Sequence, residues 1–234
     1  MRILTASLLA AAVAGSASAN ITQVVPPAYD GAQGTASFVG PMAIGARTYQ
    51  LLISETQLTN LVGLELTGIS WRLPANATIG WPASNLSYNN YDIYLSDSVD
   101  PSDRSLTFAD NIVGTQTQVR SGALSVDAGD YTFGSSPNAF GPTIFFNTGY
   151  LYTGGNLLLE LRHDGNGVAS RAMDAIGTST AGYGTDFSAA WQSGYDAVSG
   201  FQGNFAIVEF TAIPAPGAAA LLGLGALVAT RRRR

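Results

Sequence analysis

The fold class is decided by the stretch LELTGISWRL, residues 64–73. Apolar and polar residues alternate along it, with Leu64 and Leu66 on one face and Glu65 and Thr67 on the other. A period of two is typical of a half-buried β-strand. The stretch therefore predicts a strand in a sheet that has one face in the core.

Outward from this stretch, the rest of the chain carries further short apolar runs. Six more candidate strands are residues 47–53, 91–95, 122–126, 143–146, 156–163 and 204–211. Turn-forming stretches rich in Gly, Asn and Pro separate them. Ser54 and Gln57 form a capping-box pattern, which predicts one short helix over residues 55–61. Residues 169–200 show the weakest pattern.

These elements predict one all-β domain over residues 20–212. Several strands joined by turns, without a sustained helical period, favour a β-sandwich, and we expect it to be jelly-roll-like. Hydrophobic residues make up 46% of the 234 and charged residues only 12%, which is enough for a sizeable core.

The charge of the body excludes one class of partner. All 11 basic residues are Arg, and one of them lies near the start and four at residues 231–234. The body therefore has six Arg against 16 Asp and Glu, a net charge of −10. An acidic domain of this kind repels phosphate backbones, so no nucleic-acid partner is expected. There is no Cys, which removes thiol nucleophiles and thiolate metal sites.

Residues 1–19 predict a secretory signal peptide. Arg2 precedes an apolar run, residues 3–14, that is too short to span a bilayer. Ala17 and Ala19 supply the small residues that signal peptidase reads, so Asn20 is the expected mature start. The alternative is an N-terminal helix of the fold, which the abrupt change to ITQVVPP after residue 20 disfavours.

Residues 213–234, IPAPGAAALLGLGALVATRRRR, predict a single transmembrane helix followed by a basic stop. Nothing is charged from Pro216 to Thr230, and as a helix this stretch covers about 22 Å of the ~30 Å hydrocarbon core. Such a short helix would insert if the bilayer thinned locally, or if Ile213 and the prolines lay at the membrane–water interface. The positive-inside rule keeps the last four residues cytoplasmic and the body outside; these are Arg231, Arg232, Arg233 and Arg234.

The order of the tripeptide Pro214-Ala215-Pro216, a short Gly/Ala/Leu-rich span and an Arg cluster resembles a PEP-CTERM sorting signal. Ala215 stands where that family usually has Glu, so this is a Pro-Ala-Pro variant. The resemblance implies transient anchoring in the inner membrane, processing by an exosortase, and delivery to the cell surface or the extracellular space. The alternative is a plain C-terminal membrane anchor.

The body resembles exported envelope proteins that carry such tails. The segments that carry this resemblance are RTYQ at 47–50, ISWR at 69–72, YDIYL at 91–95 and GGNLLLELRH at 154–163. They are strand patterns, and the resemblance implies no enzymatic activity.

His163, the single His, is the one candidate for acid–base catalysis. Asp164 is adjacent, but neighbouring residues of a strand point to opposite faces, so the two do not form part of a Ser-His-Asp triad. No Gly-x-Ser-x-Gly motif is present. We interpret His163 as a polar residue that closes a strand, and expect no catalytic residues.

Carboxylates suggest two weaker sites. Asp97, Asp100 and Asp103 lie in one loop and are the candidate ligands of a calcium ion, although their spacing does not match an EF-hand and Asp is also ordinary in turns. Without that calcium, no cofactor is expected. Glu65 and Glu160 are expected to face solvent, although a glycosidase pair of carboxylates stays open.

Trp81 is the candidate for sugar binding, because it lies in a loop-like stretch before Pro82. An exposed indole would stack on a sugar ring of an envelope polysaccharide. The alternative is that the aromatic residues pack in the core.

Three functions are compatible with these features. The first is an exported structural or interaction protein of the cell envelope or extracellular matrix, with signal peptidase and an exosortase-like enzyme as processing partners. The second is a carbohydrate-binding β-sandwich module at the same place. The third, a secreted hydrolase, lacks a recognisable nucleophile and base.

Overall fold

The computed structural model describes residues 20–215. The two predicted end signals, residues 1–19 and the span from Pro216 to Arg234, lie outside the described residues, as do Ala17, Ala19 and the four terminal Arg. Within the described part, no helix is long and apolar enough to cross a bilayer.

The domain is all-β, as predicted. Its fifteen strands are β1 (Ile21–Val25), β2 (Ala36–Phe38), β3 (Arg47–Ile53), β4 (Leu64–Ser70), β5 (Leu86–Tyr88), β6 (Tyr91–Ser98), β7 (Ile112–Arg120), β8 (Leu124–Val126), β9 (Ile144–Tyr152), β10 (Leu157–His163), β11 (Met173–Ile176), β12 (Phe187–Ser193), β13 (Phe201–Gln202), β14 (Phe205–Ala206) and β15 (Val208–Pro214). The helical segments are single 3₁₀ turns at Pro27–Tyr29, Gly40–Met42, Glu55–Gln57, Thr59–Leu61, Pro101–Asp103 and Phe108–Asn111.

Two large antiparallel sheets form the body. One has four strands in the order β1-β15-β4-β9, and the other has six in the order β13-β12-β3-β10-β6-β7. Smaller sheets, β14-β11-β2 and β5-β8, flank them. Buried residues of both large sheets, such as Leu51 of β3 and Phe210 of β15, belong to one hydrophobic cluster. The arrangement is consistent with a β-sandwich.

The alternation that predicts the strand at 64–73 holds only for its first half. The pairing of β4 with β9 shifts register between Leu66 and Gly68, so an irregularity interrupts the period of two. The strand ends at Ser70, and beyond it the backbone of Arg72 pairs with that of Phe140 in an isolated β-bridge. Gly68 fits this position because a side chain there would meet the backbone of Ile144.

The predicted helix over residues 55–61 is wrong. Two separate 3₁₀ turns, Glu55–Gln57 and Thr59–Leu61, stand in its place. The Ser54 hydroxyl accepts a hydrogen bond from the Thr56 N–H, so the cap forms one residue earlier than a capping box would place it.

Two later regions differ from what their sequence patterns predict. Residues 169–200 contain β11 and β12. The candidate strand at 204–211 is split at Ile207, whose N–H bonds the Asp174 carbonyl as the chain passes from the small sheet into β15. β15 continues to Pro214, two residues past the boundary predicted at 212.

Candidate functional site

His163 lies at the end of β10, as predicted, but it is fully buried. Its Nε2 bonds the Gly40 carbonyl at 2.8 Å, and the Gly165 N–H donates to Nδ1, which fixes the neutral tautomer. The ring stacks on Tyr91 with centroids 5.7 Å apart. Burial lowers the pKa of His163 to about 4. With both nitrogens engaged by backbone, the imidazole has a packing role here.

Trp81 does not offer the stacking surface predicted for it. Only 5% of the residue is exposed, and its ring packs against Tyr131 with centroids 5.6 Å apart. Backbone hydrogen bonds between Trp81 and Tyr131 run in both directions, so the residue is fixed in the core. The apparent loop around it is an extended segment in an isolated antiparallel bridge, which the surrounding Gly and Pro conceal in the sequence.

The three aspartates predicted as calcium ligands lie around the end of β6. The Asp100 carboxylate accepts hydrogen bonds from both the N–H and the hydroxyl of Ser102, and this bonding lowers the pKa of Asp100. Asp97 and Asp103 are exposed. Over residues 20–215, no group of three or more His, Cys, Asp or Glu is placed to hold a metal ion. Calcium binding here stays a prediction from the sequence.

The two glutamates expected to face solvent differ. Glu65 is half-buried, whereas Glu160 is fully buried, so the expectation for Glu160 is wrong. Alternation correctly places Glu160 on the outer face of β10, but residues around Phe108 and Asn111 cover that face.

The structure does contain a polar groove, formed by residues 33–37, 74–78 and 170–174. It consists of two adjoining depressions of about 220 and 260 Å³ that share Ser37, Pro74 and Asn76. Its other polar lining residues are Gln33, Thr35, Thr78, Ser170, Arg171 and Asp174. Hydroxyl, amide and guanidinium groups of this kind are the partners that sugar hydroxyls require.

A buried ion pair lies beneath the polar groove, and Asp174 is its member that lines the groove. Arg72 Nε donates to Asp174 Oδ2 at 2.8 Å, and each side chain is only 1% exposed. The Gly34 N–H lies 3.0 and 3.1 Å from the two carboxylate oxygens, which fastens the 33–37 segment to β11. Burial raises the pKa of Asp174, against the opposing effects of Gly34 and Arg72.

Glycine is required where the groove segment approaches β11. A Cβ at Gly34 would lie 2.2 Å from the Ala175 carbonyl oxygen, which is backbone and not free to move aside. At the other wall, the Arg171 guanidinium donates to the Ile79 carbonyl at 3.1 Å and forms no ion pair among residues 20–215. Arg171 therefore brings positive charge to the wall of a groove in an acidic domain.

Sequence reasoning missed this groove because no local pattern marks it. Its walls come from three segments far apart in the sequence, two of which run into β2 and β11, and the contact between Gly34 and Asp174 joins residues 140 positions apart. A lone Gly and scattered Ser, Thr and Asn are indistinguishable from ordinary turn residues in the sequence.

No protein-family model, no curated protein and no solved structure matches this chain.

Proposed function

We propose that this chain is an exported structural or interaction protein of the cell envelope or extracellular matrix, sorted by its PEP-CTERM-like tail. The observation that carries the proposal is the position of Pro214. This residue is both the last residue of β15 and the first of the Pro214-Ala215-Pro216 motif. The folded domain and the proposed sorting signal are therefore contiguous, which supports an arrangement in which the signal directly anchors the domain.

The proposal includes a jelly-roll-like sandwich with a cleaved signal peptide before it and a transmembrane helix after it. The strand order supports the jelly-roll-like arrangement, because β15 lies between β1 and β4, two strands that are distant from it in the sequence. β1 begins at Ile21, two residues after the proposed cleavage at Ala19. Cleavage there leaves the whole strand in the mature domain.

A non-enzymatic role is part of the proposal. Its support is the environment of His163, whose two nitrogens both bond backbone groups and whose depressed pKa keeps the ring neutral at physiological pH. An imidazole held in this way does not transfer protons to a substrate.

Two tail variants test the sorting proposal in cells. Replacing Arg231, Arg232, Arg233 and Arg234 with Ser removes the stop, because guanidinium groups cost several kcal/mol to move through hydrocarbon. We expect more protein free in the periplasm or medium. Replacing Pro214 and Pro216 with Ala should leave insertion intact while processing fails, so the membrane-bound form keeps its tail.

Fractionation with a tail-directed antibody and mass spectrometry of the native ends separates the outcomes. If the Pro variant is trimmed and released like wild type, processing does not read the motif and the tail is a plain anchor. A mature start other than Asn20 would contradict the signal-peptide assignment.

A second candidate function, a carbohydrate-binding module, is favoured by the polar groove. A glycan array on residues 20–215 tests it with Arg171→Gln, which alters the groove wall, and Arg104→Gln as the matched control outside the groove. Loss of glycan signal in the first variant alone would support binding in the groove. Equal signal in both variants would remove the groove from consideration.

A further inference from the structure

The two ends of the folded domain lie side by side. In the ladder between β1 and β15, Ile21 is opposite Ala212, and in the next ladder Pro214 is opposite Leu64. Leu64 is in turn opposite Tyr152 of β9. Asn20 and Ala215 therefore leave the four-stranded sheet at the same end, which we call the tether end.

The six-stranded sheet reaches the tether end through two connections. Residues 54–63 join the end of β3 to the start of β4, and residues 153–156 join the end of β9 to the start of β10. The polar groove lies at the opposite end of the domain. β4 begins with Leu64 at the tether end and finishes at Ser70, and Arg72, which pairs with Asp174 of the groove, follows two residues later.

One side of the tether end carries an apolar rim. Val62 is 51% exposed and Leu151 is 52% exposed, and Ile213 is half-buried. Leu151, Glu65 and Ile213 are opposite one another in register, so they share the outer face of the four-stranded sheet. The Glu65 carboxylate lies over Gly149, which directs its charge back along β9 and away from the tether end.

The other side of the tether end is acidic. Glu55 and Asp100 are exposed there, beside the connection at 153–156. Asn156 ties this side together, since its side-chain oxygen accepts from the Glu55 N–H and its carbonyl accepts from the Ser98 N–H. Glu55 also lines one depression together with Val62 and Tyr152, so the acidic side borders the apolar rim directly.

Chain length sets how far the tether end stands from the proposed span. Pro214 is the last strand residue and Pro216 begins the uncharged run, so only Ala215 lies between them, and their Cα atoms are about 7 Å apart when the chain is extended. The run covers about 22 Å of a core about 30 Å thick. Insertion of so short a span draws the adjoining residues into the interface.

We propose that the tether end docks on the phospholipid surface, with the apolar rim of Val62, Leu151 and Ile213 among the headgroups, Glu55 at the edge of the contact and Asp100 in water. The proposal rests on the membrane insertion that the proposed function assumes. In this orientation the polar groove points away from the bilayer, towards whatever the domain meets outside the cell.

Single cysteines test this docking cleanly, because the chain has none of its own. Val62→Cys and Leu151→Cys probe the rim, with Asp100→Cys on the acidic side and Asn76→Cys in the groove as matched exposed controls. Each full-length variant carries a polarity-sensitive fluorophore and is reconstituted into vesicles of phosphatidylethanolamine and phosphatidylglycerol. We expect blue-shifted emission and quenching by brominated lipid at the first two positions, and water-like emission at the controls.

Flotation of the vesicles after alkaline extraction separates failure of the two proposals. Protein that does not float has no inserted span, which overturns the docking and the proposed anchoring together. If the protein floats but the fluorophores at all four positions show water-like emission, the docking is overturned and the anchoring is not. A third outcome is a blue shift at the rim that brominated lipid does not quench and that reverts on dilution with unlabelled chain. This result would mean that the rim contacts a second copy of the chain, and it also overturns the docking.

Discussion

The carboxylate of Glu160 accepts a 2.6 Å hydrogen bond from the side-chain amide of Gln50, its partner across the β10–β3 ladder. Both side chains lie on the outer face of the six-stranded sheet, yet both are fully buried. Asn111 donates to Gln50 Oε1 at 2.7 Å, and the Phe108 carbonyl accepts from Gln50 Nε2 at 3.1 Å. This face is thus an interior held by polar contacts, and the network fastens the 99–111 segment to the sheet.

The first prediction concerns Glu160→Gln. An amide cannot accept from both Gln50 and Arg162 as the carboxylate does, so either the buried Gln50 or the half-buried Arg162 loses its acceptor. We expect a loss of about 1–3 kcal/mol in the free energy of unfolding, measured with urea. Glu65→Gln is the matched control and should change stability by less than about 0.5 kcal/mol. Equal effects of the two substitutions would contradict the network.

The contrast between these glutamates shows what sequence patterns predict and what they do not. Alternation assigns each residue to a face of its strand, and it assigns Glu160 to the outer face correctly. Whether that face meets water depends on where the 99–111 segment lies, and that segment has no apolar run to mark it as a cover. The same holds for Trp81, whose contact with Tyr131 is a long-range pairing without a local pattern.

The second prediction is a pH dependence caused by His163. Its pKa falls from 6.5 to about 4 on folding, so the neutral ring is favoured in the folded state. The resulting stabilisation is complete above pH 6.5 and is lost as the pH falls towards 4, because the unfolded chain takes up the proton first. About 3 kcal/mol should be lost over this window at ~1.4 kcal/mol per pKa unit.

His163→Gln isolates this effect from other groups. Burial raises the pKa of Asp174 and of Glu209, and these carboxyls act in the opposite direction as the pH falls. The comparison is therefore between wild type and the variant, by urea unfolding at several pH values between 7 and 4. The variant is expected to be less stable at pH 7 but to lose less stability in acid. Parallel pH profiles would contradict the assignment.

The third prediction separates a core role of Trp81 from a binding role. Because its ring is buried against Tyr131, Trp81→Ala should destabilise the domain by about 3–5 kcal/mol. Trp81→Phe keeps most of the apolar volume and should cost less. Urea unfolding measures both. A Trp81→Ala variant as stable as wild type would mean that the indole is exposed after all.

The fourth prediction concerns the ion pair below the polar groove. Asp174→Asn leaves the Arg72 guanidinium buried without a countercharge, which costs about 3–5 kcal/mol. Arg72→Met in the same background removes that stranded charge, so the double variant should recover part of the loss. If the two side chains contributed independently, the losses of the single variants would add in the double variant. A loss in the double variant that is smaller than this sum shows that the two charges form a pair. The same carboxylate holds the Gly34 N–H, so Asp174→Asn should also speed hydrogen exchange of the Gly34 amide. Arg72 donates to the Ala32 carbonyl two residues earlier, so Arg72→Met should speed this exchange as well. Slow exchange at Gly34 in the Asp174→Asn variant would show that the groove segment is held by other contacts.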